Sequence, residues 1–348
     1  MPDFFDGRLT NELLRVLSNI GSLPRTSRSE GAACPDTIPN LKALWQMSSS
    51  SLRTLVEGRS WRYDDMPGGK GAFGVFRRPE SGSVCLFDGS GGLLALDLAN
   101  GELESLPSEA LAHCSECRAA HVAADGHSVA WVCMAGNCLH IRTIAGQAIA
   151  AVPVRLGDAC DEKIQLGPAG SGWFAAGSSG PDDPASDAVA EVRRYDLHGS
   201  RTMLWTLHRD DLITPLVVGN RLFVARERLG DGIYLSECEA DGSVSDLFRL
   251  GESPDSERIQ AQWGPAIMFR MGFAAAGGDR EALVFWSTPE DEEHRFRLAR
   301  IAPDEGRLEL FGLNEFLMFA TTTADGMLVG NIRDFAKPRR ALVELVVA

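Results

Sequence analysis

The chain has 348 residues, 44% of them hydrophobic, and a formal net charge of −14. That is enough chain and enough apolar content for one large or two ordinary domains. The charge disfavours a phosphate backbone or an anionic bilayer as partner, and no stretch approaches the roughly 18 apolar residues of a membrane-crossing helix.

Residues 1–40 differ from the rest. The start lacks the basic residues, apolar run and small-residue site of a secretory signal. The expected compartment is therefore the cytoplasm, where the 8 cysteines stay reduced. Leu9, Leu13, Val16, Leu17 and Ile20 recur at helical spacing and predict an amphipathic helix. Residues 22–40, rich in Ser, Pro, Gly and Arg, predict an irregular arm. Two readings of the helix stand: it packs on the outside of the domain, or it docks a partner.

From residue 41 onward the pattern is short strands and turns. Residues 93–98 turn at Asn100-Gly101 into 103–106, and residues 139–144 turn at Ala145-Gly146 into 148–152. The same hairpin recurs at His198-Gly199, at Asp241-Gly242 and at Asp304-Glu305-Gly306. These turn glycines lie 43 to 64 residues apart. Each period also holds two earlier strands, clearest at 119–124 and 128–133 around Asp125-Gly126. About four strands in each repeat of 40–50 residues is the signature of a β-propeller.

The stretch Ala119-Ala-His-Val-Ala-Ala-Asp-Gly-His-Ser-Val-Ala-Trp-Val132 resembles the first two strands of a TolB-like or WD-repeat propeller blade. The resemblance extends over residues 60–348, although no Trp-Asp dipeptide closes a strand and no Gly-His pair opens a blade. It implies a fold and carries no functional residue. The expected architecture is all-β: a propeller of about six four-stranded blades at 60–107, 113–154, 160–208, 212–251, 256–313 and 315–348. Residues 1–40 form a helix and connector, and 41–348 the propeller domain. The last unit lacks a fourth strand, and residues 52–57 are expected to supply it as a latch. Residues 41–47 form an unplaced strand. Trp131, Trp173, Trp205, Trp263 and Trp286 read as rings wedged between blades.

The cysteines are the most specific feature. Cys114, Cys117, Cys133 and Cys138 read Cys-x2-Cys, fifteen residues, Cys-x4-Cys, which approximates a zinc ribbon. In a propeller, the loop leading into blade two and its strand two-to-three loop leave the same face. That face would also carry Cys160 and His113, with His121 and His140 close in sequence. A structural zinc held by the four thiolates is one reading. Unlinked thiols, or a Cys133–Cys138 pair facing across a hairpin, are the alternatives.

The same loops are acidic. Loops leading into blades carry Asp64, Asp65, Asp158, Asp161, Glu162, Asp210, Asp211, Glu252, Asp255, Glu257 and Glu315. Strand two-to-three loops add Asp182, Asp183, Asp187 and Glu290 to Glu293. Carboxylates converging there would hold a hard cation or attract a basic partner. There is no Gly-x-Ser-x-Gly elbow, no His-Glu-x-x-His and no phosphate loop. The favoured expectation is a non-catalytic protein-binding scaffold that presents an acidic loop face to a basic segment. The alternative is a metal-dependent, lactonase-like hydrolase or lyase using Asp158, Asp161, Asp211 and Glu257.

Overall fold

The computed structural model describes residues 46–47, 52–63, 74–78, 82–88, 92–106, 119–133, 138–145, 148–153, 163–167, 171–179, 189–208, 212–228, 232–252, 280–288, 291, 293–333 and 341–348. The expected N-terminal helix lies outside the described residues. Within them the chain is built of strands, with one 3-10 turn at Pro303–Glu305. No helix among the described residues is long and apolar enough to cross a membrane.

Two strands precede the repeats: β1 (Gln46–Met47) and β2 (Arg53–Arg62). The first blade is β3 (Gly74–Arg77), β4 (Ser83–Phe87), β5 (Leu93–Asp97) and β6 (Leu103–Ser105). The second is β7 (Ala119–Ala124), β8 (Ser128–Cys133), β9 (Cys138–Thr143) and β10 (Ala148–Pro153). The third is β11 (Lys163–Leu166), β12 (Trp173–Ser179), β13 (Val189–Tyr195) and β14 (Arg201–His208). The fourth is β15 (Leu212–Val218), β16 (Arg221–Arg228), β17 (Gly232–Cys238) and β18 (Val244–Glu252). Each is a separate antiparallel sheet in chain order.

The remaining strands correct the expectation of about six separate blades. β19 (Ala282–Ser287), β20 (Phe296–Ala302), β21 (Arg307–Leu313), β22 (Phe316–Thr322), β23 (Leu328–Arg333) and β24 (Ala341–Val347) belong, with β1 and β2, to one eight-stranded sheet. A fifth and a sixth unit are fused because β2 touches both. It pairs antiparallel with β24, from Leu55↔Val347 to Arg62↔Ala341. It also pairs parallel with β21 at Arg53↔Phe311 and Thr54↔Gly312. The short β1 lies parallel to β21 as well, at Gln46↔Arg307. The segment read as a latch is thus the strand beside β24.

Six buried apolar clusters fill six seams and close the ring. Phe76, Cys85, Phe87 and Leu93 of the first blade meet Val129, Trp131 and Cys133 of the second. Trp173, Trp205 and Trp286 occupy three later seams, the wedge role expected of them; Trp263 lies outside the described residues. Because each blade is covered on both faces, strands such as β4 and β8 are buried at every residue. This is the continuous apolar pattern of a sheet sandwiched on two sides.

β2 is fastened to three units. Arg53 Nη2 pairs with Glu309 Oε1 at 2.5 Å, and its guanidinium lies 4.6 Å from the centre of the Phe311 ring. Trp61 Nε1–H donates to the Leu98 carbonyl of the first blade at 3.0 Å. Tyr63, just past the end of β2, accepts from Asn331 Nδ2 at 2.8 Å in the sixth unit.

Candidate functional site

Of the four cysteines with zinc-like spacing, the structure describes two. Cys133 and Cys138 end β8 and begin β9, and are direct register partners. Cys133 is fully buried and Cys138 partly so; neither is in a disulfide. Burial, and then the neighbouring Cys133, push the Cys138 thiol above its ordinary range. Thiolates here would therefore need a cation beside them. Cys114, Cys117, Cys160 and His113 lie outside the described residues. Among the described residues no three His, Cys, Asp or Glu side chains are grouped to hold a metal ion.

The loop acids divide similarly. Asp158, Asp161, Asp211 and Glu257, the carboxylates of the hydrolase reading, lie outside the described residues. Asp291 is described and is engaged: its Oδ1 accepts the backbone N–H of Glu293 at 3.0 Å and of His294 at 2.8 Å. Its other oxygen pairs with Arg297. Burial opposes ionisation of Asp291, but these partners hold its carboxyl below the usual range. It organises its own loop.

Nine of the described acids lie at the opposite end of the blades, in turns between first and second or third and fourth strands. Asp97, Glu102, Asp125, Asp196, Glu239, Asp241, Asp304, Glu305 and Asp325 sit in these turns, and those six turns contain no lysine or arginine. The local chemistry explains the aspartates. Asp196 Oδ1 accepts the N–H groups of His198 at 2.8 Å and Ser200 at 2.9 Å. Asp241 Oδ1 accepts the N–H of Ser243 at 2.9 Å and its hydroxyl at 2.6 Å. The chain can then close only through a left-handed residue, supplied by Gly199 at φ 84° and Gly242 at φ 90°. Hydrogen bonding, led by Ser200 in one case and Ser243 in the other, lowers both carboxyl pKa values and keeps the charges fixed. The fourth-blade turn packs against the outer strand of the third blade: Trp205 Nε1–H of β14 donates to the Glu239 carbonyl at 2.7 Å. The sequence marked these positions as turns; the rule that an aspartate caps its own turn amides could have marked the carboxylates too.

A groove of about 440 Å³ lies between the fifth and sixth units, beside β2. Arg53, Arg300 and Arg307 line it together with Glu309, Asp325 and Glu344, over Leu55, Phe311 and Leu345. Its arginines are paired: Arg53 with Glu309 at 2.5 Å, Arg300 with Glu281 at 2.7 Å, and Arg307 with Glu305 at 2.9 Å and Glu309 at 3.0 Å.

The seam between the first two blades is different. Trp131 is fully buried, with His140 stacked on it at 5.2 Å between centroids and Phe87 tilted against it at 5.4 Å. The Arg142 guanidinium lies 5.5 Å from the centre of the same ring. Burial lowers the pKa of His140. It also pushes Arg142 down, against the fields of Asp88 and Cys85. No sequence signal singled out Arg142.

No protein-family model matches the chain, and no curated protein matches it. Among solved structures it is similar to that of U3-55K, with a TM-score of 0.48 and 10% identity over 85% of this chain and 100% of that one. The WD40 repeats of RRP9 give 0.47 and 11% over 85% and 99%. The β-propeller domain of Myceliophteria thermophila Cps50 (Swd1) gives 0.47 and 11% over 84% and 100%. The propeller assignment here rests on strand pairing and on the six seams.

Proposed function

We propose that this chain is a non-catalytic β-propeller scaffold that binds a protein segment of basic character through acidic loops, in the cytoplasm. One observation carries the reading: nine carboxylates occupy six turns that themselves contain no lysine or arginine, although Glu305 pairs with Arg307 just past its turn and Arg221 feels Asp304 and Glu239. Several are held rigid by their own turn amides. Fixed charge costs no ordering on binding and speeds encounter with an oppositely charged partner. The same charge argues against nucleic acid and anionic membrane as ligands. Residues 1–40 are an arm outside the propeller domain of 41–348. Cys133 and Cys138 supply half of a structural zinc site completed by Cys114 and Cys117.

The test is fluorescence anisotropy with a lysine- and arginine-rich peptide library, using acidic peptides as controls. Expected are peptides that bind at micromolar affinity, weaken as salt rises, and lose affinity about tenfold in a Glu239→Lys, Asp241→Lys variant. Binding unchanged by charge reversal across all six turns would reject the acidic turn face. Elemental mass spectrometry on protein purified without chelator tests the metal: one zinc per chain is expected, and none rejects the four-thiolate site.

A further inference from the structure

Arg142 is 3% exposed, and its Nε, Nη1 and Nη2 all lack a hydrogen-bond partner. Two more polar nitrogens of the same seam are in the same condition: His140 Nε2 and Trp131 Nε1. His140, at 7% exposure, stacks on Trp131, and the Arg142 guanidinium lies against that ring. Four unpartnered nitrogens therefore lie on side chains packed against an indole whose own N–H is also unpartnered. Burying a charge without a hydrogen-bonding partner is among the most unfavourable arrangements a fold can adopt. A guanidinium keeps its proton even so, because its basicity leaves no neutral escape.

Alternation explains why these side chains share one compartment. Along β9, Leu139 and Ile141 face the third blade, in the cluster with Trp173. Cys138, His140 and Arg142 alternate with them and face the first blade. The carboxylate whose field reaches Arg142 is Asp88, at the end of β4. Asp88 Oδ1 instead accepts the Gly92 N–H at 2.9 Å, and no hydrogen bond joins Asp88 to Arg142. Arg78 enters the balance from the first blade, since the Cys85 thiol feels both Arg78 and Arg142. Among the described residues, two guanidiniums face one carboxylate here.

We propose that this seam is a binding site for a small oxyanion, a carboxylate or a phosphate, held by Arg142 with Trp131 and His140 donating beside it. A planar guanidinium offers paired N–H donors that match two oxygens of such an anion. The groove beside β2 does not qualify, because its arginines are already paired: Arg53 with Glu309, Arg300 with Glu281 and Arg307 with Glu305 and Glu309. A partner's acidic side chain does not qualify either: at 3% exposure Arg142 offers it no open path.

The experiment is thermal unfolding of the full chain, dialysed free of oxyanions, in chloride and then titrated with formate, acetate or inorganic phosphate at constant ionic strength. Expected is a saturable rise in Tm of about 3 °C or more with at least one oxyanion and none with added chloride. The rise should vanish in Arg142→Met and weaken in Trp131→Phe. No saturable rise in the wild-type protein overturns the proposal, and this arm needs no variant to fold. A rise retained in Arg142→Met also overturns it, by placing the anion elsewhere. Formate or acetate acting alone identifies a carboxylate site; phosphate acting alone identifies a phosphate site.

Discussion

Thr54 Oγ1 stands 2.8 Å from Nε2 of His294, a hydrogen bond across 240 residues that ties β2 to the loop leading into β20. The His294 ring lies where a side chain at residue 312 would be: a Cβ on Gly312 would come within 2.4 Å of its Cδ2. Glycine at 312 and threonine at 54 therefore serve one purpose, seating a buried imidazole against the strand that closes the ring.

Thr54→Val keeps the shape but leaves Nε2 of a buried ring unpartnered. The expected loss is about 1–3 kcal/mol. Gly312→Ala displaces the ring and is expected to cost about 1–3 kcal/mol through overpacking. Urea unfolding checks both: the midpoint falls while the slope with denaturant stays constant.

Removing β2 by starting the chain at residue 64 strips three units of their shared fastening and leaves β24 with an open edge. Such edges template association. Size-exclusion chromatography of the truncated chain is expected to show oligomers, and its thermal transition should broaden. A monomer with a sharp transition would refute the closing role of β2.

Burial pushes the thiols of Cys85 and Cys238 up to about 12. Both should resist a thiol reagent at neutral pH in the folded protein and react once it unfolds. The sign follows from an acid kept neutral by the fold. Its contribution to stability is complete below the unfolded thiol value, near 9, and is lost as pH rises from there towards about 12. Thermal unfolding at pH 7 and pH 10 should show a lower Tm at the higher pH, and Cys238→Ala should reduce the difference.

Turn carboxylates work in the other direction. The Asp325 carboxyl is held below its ordinary value chiefly by the Thr323 hydroxyl, and Asp196 and Asp241 by their own turns. A lowered folded value gives stability that is present above the unfolded value, roughly 3.9, and lost as pH falls through the folded ones. Tm should therefore drop between pH 5 and pH 2. The drop should shrink in an Asp196→Asn, Asp241→Asn double variant, whose Tm at pH 7 should already be lower.

Much of this fold can be read from residue order. Turns such as Asp125-Gly126 and Asp241-Gly242 announce hairpins because only glycine adopts the backbone they need. The incomplete last unit points to a missing strand, and 52–57 has the alternation to fill it. The fusion of the last two units has no such mark, since two register pairs at Arg53 and Thr54 create it. Nor does the seam around Trp131. Cys-Leu-His-Ile-Arg-Thr along β9 alternates like a strand with one wet face, yet a blade between two neighbours has none, so His140 and Arg142 are enclosed. The candidate zinc ligands were legible only as spacing; of their placement the structure adds the Cys133–Cys138 pairing.

The pairing of β2 with β24 also governs how the chain must be made. A ribosome delivers Leu55 to Arg62 early, whereas their partners, Val347 back to Ala341, emerge about 280 residues later. Until then the early strand has no antiparallel neighbour and must wait without pairing elsewhere. Contacts this distant in sequence slow the final step. They also leave a nearly complete ring open to association until β24 has been made. Glu57 to Ser60, where the register with β24 slips, is a bulge that roughens this waiting strand and makes it a poor template for a stray one. That irregularity therefore bears on how the molecule is made as well as on how it stands once complete.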